Sequence, residues 1–292
     1  GLTMVFSSHW LITKLHILSG ASKALQSDML PKLASGDTTL SVAISEPGAG
    51  AHPKKLATRA ERNGGYFVLN GEKAFLTNGP IAGYYITLAI TGENKGRKEF
   101  SAILVPAETP GLERTAGVEL DFLHPCPHGG IKLIDCRVPA QNLIGIEGEG
   151  FEQTSLKMRA VEDAIGAAGQ VGSLERLLMD VLPLTGTESA SRVGALQTQL
   201  KSLKAIADHL ARMAEVTDED TDPLLELHLG FRQQSGYWLK EMEAFIGTIA
   251  DPLPTATLLL LRDVSKIHAI AHSAHTARLA KIGKELQQNN RL

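Results

Sequence analysis

The most constraining feature of this sequence is the stretch from Ser41 to Gly79, in which short apolar runs alternate with turn signals. The first run breaks into Glu46-Pro47-Gly48-Ala49-Gly50, where proline fixes one φ angle and the glycines permit a tight turn. Two further turn signals, Asn63-Gly64-Gly65 and Asn70-Gly71, separate runs rich in Tyr, Phe, Val and Leu, and each predicts a β-hairpin. The stretch therefore predicts strands that pair in an antiparallel sheet.

The same pattern extends from residue 37 to about residue 146. Runs of four to nine residues separated by Gly, Pro and Asn are typical of a small antiparallel barrel or sandwich. The predicted strands are Leu40–Ile44, Lys55–Glu61, Tyr66–Leu69, Glu72–Leu76, Tyr84–Thr91, Glu99–Pro106 and Ile131–Val138.

Helical periodicity dominates the two ends of the chain. Residues 1–36 read as two helices with a polar break at Ser19–Ser22, and after Gly150 the pattern predicts helices at about 151–181, 192–213, 224–249 and 256–288. We therefore predict three parts: an N-terminal helical segment (1–36), a middle β-domain (37–148) and a C-terminal helical-bundle domain (149–292). Trp10 and Trp238 are interpreted as packing residues.

Composition narrows the class of protein. The chain has 292 residues, 43% hydrophobic content and a formal charge of -3, values typical of a soluble protein with a substantial core. No basic block predicts nucleic-acid binding, and no apolar run approaches the ~20 residues of a membrane span. The two cysteines, Cys126 and Cys136, lack metal-ligand spacing, so we expect a reduced, cytoplasmic location.

Five linked motifs carry a family resemblance. They are SEPGAG at Ser45–Gly50, NGGYFVLNGEKAFLTNG ending at Gly79, Pro110-Gly111, Val138-Pro139-Ala140, and Asn142–Gly145 leading to Glu147–Phe151. In this order they resemble the acyl-CoA dehydrogenase family, and Leu30–Gly36 matches the family segment that leads into the β-domain. The resemblance implies an α, β, α architecture with a C-terminal four-helix bundle. Family members usually carry more N-terminal helices, so the chain is read as a divergent, N-terminally shortened member.

The resemblance also implies a cofactor and a reaction. Family members hold FAD between the β-domain and the C-terminal helices; a glutamate removes the α-proton of an acyl-CoA thioester while the β-hydrogen passes to the flavin as hydride. Carried over by motif position, Ser45 and Thr77 would contact the flavin ring and Phe75 would pack against it. Without the motifs, Phe75 in a strand would more often be a core residue.

The family base is displaced in this sequence. In most members it lies in a Tyr-Glu-Gly segment between the last two helices, and those positions fall here on Ala271, His272 and Ser273. A minority of members supply the glutamate from the first helix of the C-terminal domain, and that position falls on Glu162. Asp163 replaces a neighbouring family arginine, and a second carboxylate there would raise the pKa of the first.

Other family features of the C-terminal half are weaker. Arg192 is misplaced for the arginine that meets the flavin pyrophosphate, and the segment from Glu243 to Thr248 keeps one glycine of a Gln-x-x-Gly-Gly motif. His268, His272 and His275 would share one helical face and could bind a metal, act as a base or bind phosphate, or form an exposed stripe. Because no Cys or acidic residue completes a ligand set, no metal is predicted.

Two classes of function remain open from the sequence. The first is a flavin-dependent acyl-CoA dehydrogenase-like oxidoreductase with FAD as cofactor, acyl-CoA as substrate, and electron-transfer flavoprotein or another acceptor as electron partner. It would be a homodimer or homotetramer. The second is a degenerate family member that acts as a binding or assembly subunit. A hydroxylase or nitroalkane oxidase relative is a third reading, since such enzymes share the scaffold.

Overall fold

A computed structural model describes residues 1–117, 119–216 and 221–289. The chain forms two compact units, Gly1–Arg159 (the first unit) and Ala160–Leu292 (the second unit). The first unit begins with α1 (Leu2–Ile12), a π-helical segment (Thr13–Leu18) and α2 (Lys23–Ser35). The predicted break between the helices is confirmed, because the Ser22 hydroxyl accepts a hydrogen bond from the Leu25 amide at 3.3 Å and caps α2.

Strands follow in the rest of the first unit. They are β1 (Leu40–Ala43), β2 (Arg59–Asn63), β3 (Tyr66–Thr77), β4 (Tyr84–Asn94), β5 (Arg97–Pro106), β6 (Leu112–Thr115), β7 (His128–Pro139) and β8 (Leu143–Ile144). In the described residues they form one eight-stranded sheet with the order β6-β7-β3-β2-β4-β5-β8, while β1 pairs with β4. The β1–β4 and β2–β4 pairs are parallel and the other pairs are antiparallel.

Strand β4 is the centre of the first unit, because its side chains are buried on both faces. Tyr85 and Ala89 join a core cluster on one face together with Phe67 of β3. Ile86 points to the opposite face, where it joins a second cluster with Met29 of α2. The alternation of side chains along a strand therefore lets one strand hold both layers together.

The structure corrects one hairpin prediction. The signal at Asn63-Gly64-Gly65 does lie between β2 and β3, but Asn70-Gly71 lies inside the continuous strand β3. Gly71 is needed for a different reason: a Cβ atom there would lie 2.4 Å from the Thr58 hydroxyl oxygen. Because Gly71 has no side chain, the segment that carries Thr58 can approach β3 closely, and Gly71 does not form a turn.

A buried ion pair joins the turn after β1 to strand β3. The Lys73 ammonium lies 2.9 Å from Glu46 Oε1 and donates to the Ile44 carbonyl at 3.0 Å. The Glu46 carboxylate also accepts hydrogen bonds from the amides of Ala57 at 2.7 Å and Thr58 at 3.0 Å. Both charged side chains are almost fully buried, so these contacts replace the water that each charge has lost.

The surroundings shift the pKa of both partners. Burial lowers the pKa of Lys73 to about 8, although the Glu46 charge opposes this. For Glu46, burial raises the pKa, but the Lys73 charge and the hydrogen bonds from Thr58 and Lys73 outweigh it and the net pKa is lowered. Glu46 therefore contributes stability above its ordinary pKa, and that stability is lost as the pH falls through its folded-state pKa.

The second unit consists of helices, and its first helix, α3, begins at Lys157, three residues before Ala160. The helices are α3 (Lys157–Val181), preceded by a π-helical segment (Phe151–Leu156), then α4 (Ala190–Val216), α5 (Asp222–Ile246), α6 (Thr255–Ala269) and α7 (His272–Asn289). Helices α4 and α5 pack through a shared apolar face, and the Trp238 indole donates to the Leu196 carbonyl at 2.9 Å. The packing role of Trp238 is confirmed, whereas Trp10 is 50% exposed and that prediction is wrong.

The last predicted helix is in fact two helices. Ile270 is extended and Ala271 has φ +58°, which ends α6 and turns the chain into α7. The Arg232 guanidinium of α5 donates to the carbonyls of His268 and Ile270 at this break, so the carbonyls that the broken helix leaves free are satisfied. The described residues contain no helix with the length and apolar character needed to cross a membrane.

We predict that Ala271→Gly stabilises the protein by roughly 0.5–1 kcal/mol, because a left-handed alanine is strained and glycine is not. Ala280→Gly, in the exposed middle of α7, is the matched control and should destabilise by roughly the same amount. Denaturant unfolding of the two variants measures both effects. If the two substitutions destabilised the protein equally, this would contradict the left-handed conformation of Ala271 between α6 and α7.

We predict that Lys73→Met alone destabilises the first unit by roughly 3–5 kcal/mol, because it leaves the Glu46 carboxylate buried without its counter-charge. The double variant with Glu46→Gln should lose at least about 1 kcal/mol less than the sum of the single losses. Urea unfolding measures this coupling. The exposed pair Asp28–Lys32, at 2.7 Å, is the control and should show no measurable coupling. If the losses in free energy of unfolding at Glu46 and Lys73 were additive, the two side chains would not stabilise each other as an ion pair.

Candidate functional site

A β-bulge in β3 decides which side chains face outward. The pairing with β7 moves from Lys73 opposite Ile131 to Leu76 opposite Gly129, so β3 carries one extra residue in this interval. Before the bulge, Lys73 is buried; after it, Leu76 is buried and Thr77 is half exposed. The extra residue therefore reverses the alternation of the strand and turns Phe75 and Thr77 away from the core.

Phe75 shows two properties that packing alone does not explain. Its side chain is 43% exposed, and its backbone has φ +61°, a left-handed conformation that bulky residues rarely adopt. Strain of this kind persists only when the surroundings impose it, and it is concentrated at functional sites. An exposed aromatic ring on a strained bulge is thus the clearest sign of a ligand surface in the first unit.

Ser45 and Thr77, the other two residues expected to bind a cofactor, lie on segments next to Phe75. The Ser45 carbonyl accepts a hydrogen bond from the Ala74 amide at 2.9 Å. The Ser41 hydroxyl of β1 donates to the Thr77 carbonyl at 2.8 Å. The buried Glu46–Lys73 ion pair also joins the segment of Ser45 to strand β3, which carries Phe75 and Thr77. The structure therefore brings the segments of all three predicted residues together.

The chemistry of this face fits the flavin that the resemblance implies. Phe75 offers an exposed ring against which a flat ring system can stack, and the hydroxyls of Ser45 and Thr77 offer polar contacts beside it. Gly48 and Gly50 have positive φ angles, and a Cβ atom at either position would meet no atom within 4 Å. The turn thus leaves its backbone open to a ligand.

Sequence reasoning missed one residue at this face. His128, at the start of β7, lies opposite Thr77, and its Nε2 is 3.2 Å from the Thr77 hydroxyl oxygen. Its Nδ1 is 3.1 Å from the Cys126 carbonyl oxygen. The segment CPHGG carries no motif that would have singled out this histidine, since the contact depends on strand pairing.

Glu162, the expected base, lies in α3 of the second unit on the exposed side of the helix, next to the buried residues Ala160 and Val161. Asp163 is half buried, with Oδ2 3.7 Å from Nδ1 of His228 on α5. The two adjacent carboxylates thus occupy different environments.

The three histidines near the C-terminus do not share one helical face, so that prediction is wrong. His268, the second-to-last residue of α6, lies beside Gly236 of α5, and a Cβ atom added to Gly236 would lie 2.5 Å from the His268 Nε2. His272 is exposed as the first residue of α7. His275 places its ring 6.4 Å from that of buried His228. The break at Ala271 separates them.

Burial disfavours the protonation of two histidines in this region, His228 and His268. Burial, followed by the charges of Arg232, His275 and Arg278, lowers the pKa of His228 to about 3. Burial and nearby positive groups also lower the pKa of His268. Neutral imidazoles could in principle bind a metal, yet across the described ranges no three His, Cys, Asp or Glu side chains are grouped to hold one.

Arg192 is engaged inside the second unit. Its guanidinium donates to the Glu241 carbonyl at 3.3 Å and lies 5.0 Å from the centre of the Phe245 ring. These contacts connect α4 with α5. The side chain therefore has a packing role in this unit, as its misplaced position in the sequence suggests.

Comparison with known proteins identifies the first unit. Residues 41–126 match the family model described as acyl-CoA dehydrogenase, middle domain. The isobutyryl-CoA dehydrogenase of Dictyostelium discoideum is 37% identical over 147 residues, which are 49% of this chain and 35% of that protein. The chain spans less than half the length of the curated relatives it matches.

Solved structures show the same fold over almost the whole chain. A prolyl acyl carrier protein oxidase superposes with a TM-score of 0.83 and 22% identity over 96% of this chain and 78% of that one. A glutaryl-CoA dehydrogenase from Mycobacterium smegmatis, in complex with FADH2, superposes with a TM-score of 0.76 and 22% identity over 97% of this chain and 74% of that one.

These similarities agree with the order of elements described above. The predicted order of an N-terminal helical segment, a middle β-domain and a C-terminal helical domain is confirmed. The sequence predicts an antiparallel barrel or sandwich for the middle domain, whereas its sheet is mixed, because the β1–β4 and β2–β4 pairs are parallel. The conclusion is that residues 41–126 form an acyl-CoA dehydrogenase middle domain, and that the chain as a whole has the fold of the acyl-CoA dehydrogenase structures it resembles.

Proposed function

We propose that this chain binds FAD and oxidises the Cα–Cβ bond of an acyl thioester. The FAD would bind to the surface formed by Ser45, Phe75 and Thr77 at the bulge of β3, which we call the bulge face. The observation that supports this most directly is the exposed ring of Phe75, which the bulge holds in a strained conformation beside the segments of Ser45 and Thr77. FAD is the cofactor of the acyl-CoA dehydrogenase family, whose middle domain matches residues 41–126. When bound, it supplies the acceptor for the hydride that leaves the β-carbon.

The three residues of the first unit have distinct proposed roles. Phe75 supplies an apolar surface for stacking, which orients a flat ring without a charged contact. Ser45 and Thr77 supply hydroxyl groups that hydrogen-bond the polar edge of the ring. The Glu46–Lys73 pair holds the segments that carry them, so the site is organised before the ligand arrives.

Glu162 is the proposed base of the second unit. Its carboxylate would take the α-proton of the thioester, and the β-hydrogen would leave with its electron pair, so that the product is the α,β-unsaturated thioester. An α-proton is acidic enough for a carboxylate only when the thioester oxygen is polarised and water is excluded. The adjacent carboxylate of Asp163 lies with Oδ2 3.7 Å from Nδ1 of His228.

The partners follow from the reaction. The substrate would be an acyl-CoA, and electrons would pass to electron-transfer flavoprotein or another acceptor. A homodimer or homotetramer is proposed as the assembly. The names of two similar proteins suggest a second thioester carrier: one is an L-prolyl-[peptidyl-carrier protein] dehydrogenase and the other a prolyl acyl carrier protein oxidase. Acyl groups on CoA and on a carrier protein should therefore both be tested.

The alternative is a family member without dehydrogenase activity that serves as a binding or assembly subunit. The absence of the Tyr-Glu-Gly base at Ala271–Ser273 favours it. The two functions are distinguished by whether bound flavin is reduced when an acyl thioester is added.

We predict that Phe75→Ala weakens FAD binding about 10- to 100-fold, because it removes a stacking surface worth roughly 1.5–3 kcal/mol. Flavin fluorescence titration measures the Kd. Tyr66→Ala is the matched control, since Tyr66 is an equally exposed aromatic residue, at 42%, at the other end of β3. Equal Kd values for wild type and Phe75→Ala would remove Phe75 from the site.

We predict that Glu162→Gln slows acyl-CoA-dependent flavin reduction by at least about 100-fold, the scale of general base catalysis, while FAD affinity stays unchanged. Anaerobic stopped-flow absorbance measures the reduction rate. Glu175→Gln, elsewhere on α3, is the control and should reduce flavin at the wild-type rate. A wild-type rate for Glu162→Gln would show that another group is the base.

A further inference from the structure

The contact between Thr77 and His128 determines whether the Thr77 hydroxyl is left as a hydrogen-bond donor or as an acceptor. The two residues face each other across the β3–β7 pair, with Thr77 Oγ1 3.2 Å from His128 Nε2. The other ring nitrogen of His128 is 3.1 Å from the Cys126 carbonyl oxygen. A chain of two hydrogen bonds therefore runs from a backbone carbonyl, through an imidazole ring, to the hydroxyl of Thr77.

The chemistry of the partners assigns the direction of both bonds. A carbonyl oxygen only accepts hydrogen bonds, so Nδ1 of His128 must carry the hydrogen. In a neutral imidazole the other nitrogen then has a lone pair and no hydrogen. The hydroxyl of Thr77 must therefore donate its one hydrogen to Nε2. What remains on the Thr77 oxygen is acceptor capacity alone.

Strand pairing holds this arrangement in place. The Asn78 amide donates to the Pro127 carbonyl at 2.9 Å, one residue beyond the Thr77–His128 pair. The next two residues of β7 are Gly129 and Gly130, and a Cβ atom at Gly130 would lie 2.6 Å from the Lys73 carbonyl oxygen. The strands are thus too close for β7 to shift, and His128 has little freedom to leave Thr77.

The environment also keeps His128 neutral. Burial lowers the pKa of His128, and the nearby His124 lowers it further, whereas the Cys126 carbonyl acts in the opposite direction. At neutral pH the uncharged ring therefore dominates, and its lone pair remains available to Thr77.

We propose that His128 is a positioning residue that makes the Thr77 hydroxyl a hydrogen-bond acceptor for the ligand of the bulge face. This inference rests on the proposed function. Reduction of a flavin adds hydrogen to a ring nitrogen that carries only a lone pair in the oxidised form. If the flavin binds with that nitrogen beside the Thr77 oxygen, an acceptor there would pair with the reduced ring and oppose the oxidised ring. His128 would then favour the reduced flavin and raise the reduction potential of the site.

The first test measures the potential of the FAD-loaded full chain against a reference dye. His128→Leu frees the Thr77 hydroxyl to donate. It should weaken the binding of reduced FAD relative to oxidised FAD about tenfold, which lowers a two-electron potential by about 30 mV. The same substitution in a Thr77→Val background should leave the potential unchanged, because His128 acts through that hydroxyl. An unchanged potential in His128→Leu alone would overturn the proposal, as would an equal shift in both backgrounds.

The second test needs neither flavin nor folding of a variant. Nitrogen NMR of the wild-type chain, labelled at histidine nitrogens, distinguishes a protonated from an unprotonated ring nitrogen. His128 should carry its hydrogen on Nδ1 and none on Nε2 at neutral pH; the reverse tautomer or a charged ring would overturn the proposal. Failure of the wild-type chain to bind FAD would instead overturn the proposed function, whatever tautomer His128 shows.

Discussion

The buried ion pair between Glu46 and Lys73 is the contact on which the candidate flavin face depends. One partner lies in the tight turn after β1, and the other lies immediately before the bulge of β3. Glu46 also accepts the amides of Ala57 and Thr58, so a single carboxylate joins three segments. A buried charge without its partner is costly, and this cost strongly disfavours any arrangement in which the turn and the strand separate. Ser45 precedes Glu46, and Phe75 follows Lys73 by two residues, so the pair fixes their relative positions.

The two units contribute different parts of the proposed chemistry. The first presents a face in which the bulge, a strained Phe75 and the segments of Ser45 and Thr77 lie together, and the register of β3 and β7 adds His128 to it. The second carries Glu162 on α3, and its Arg232 guanidinium donates hydrogen bonds to the carbonyls at the break between α6 and α7. Changes in the first unit should therefore act on flavin affinity and potential, and a change at Glu162 on proton removal.

Much of the architecture could be predicted from the sequence because hydrophobic periodicity changes clearly near residues 37 and 150. Ser45, Phe75 and Thr77 are assigned from the resemblance of their motifs to the family, and their roles stay predictions. What the sequence could not show depends on contacts between distant residues. Gly71 looks like a turn residue until Thr58 is seen against it, and the histidine stripe fails because a left-handed Ala271 has no sequence signal. His128 becomes relevant only through its strand partner.

The visible absorption spectrum of the purified chain, taken after incubation with FAD and removal of free flavin, tests the central claim most directly. The account predicts about one bound flavin for each chain, with an absorption band that bleaches when an acyl thioester is added without oxygen. A colourless protein would contradict the flavin site on the first unit. Bound flavin that stays oxidised with both acyl-CoA and acyl carrier protein thioesters would contradict the dehydrogenase and favour the binding subunit.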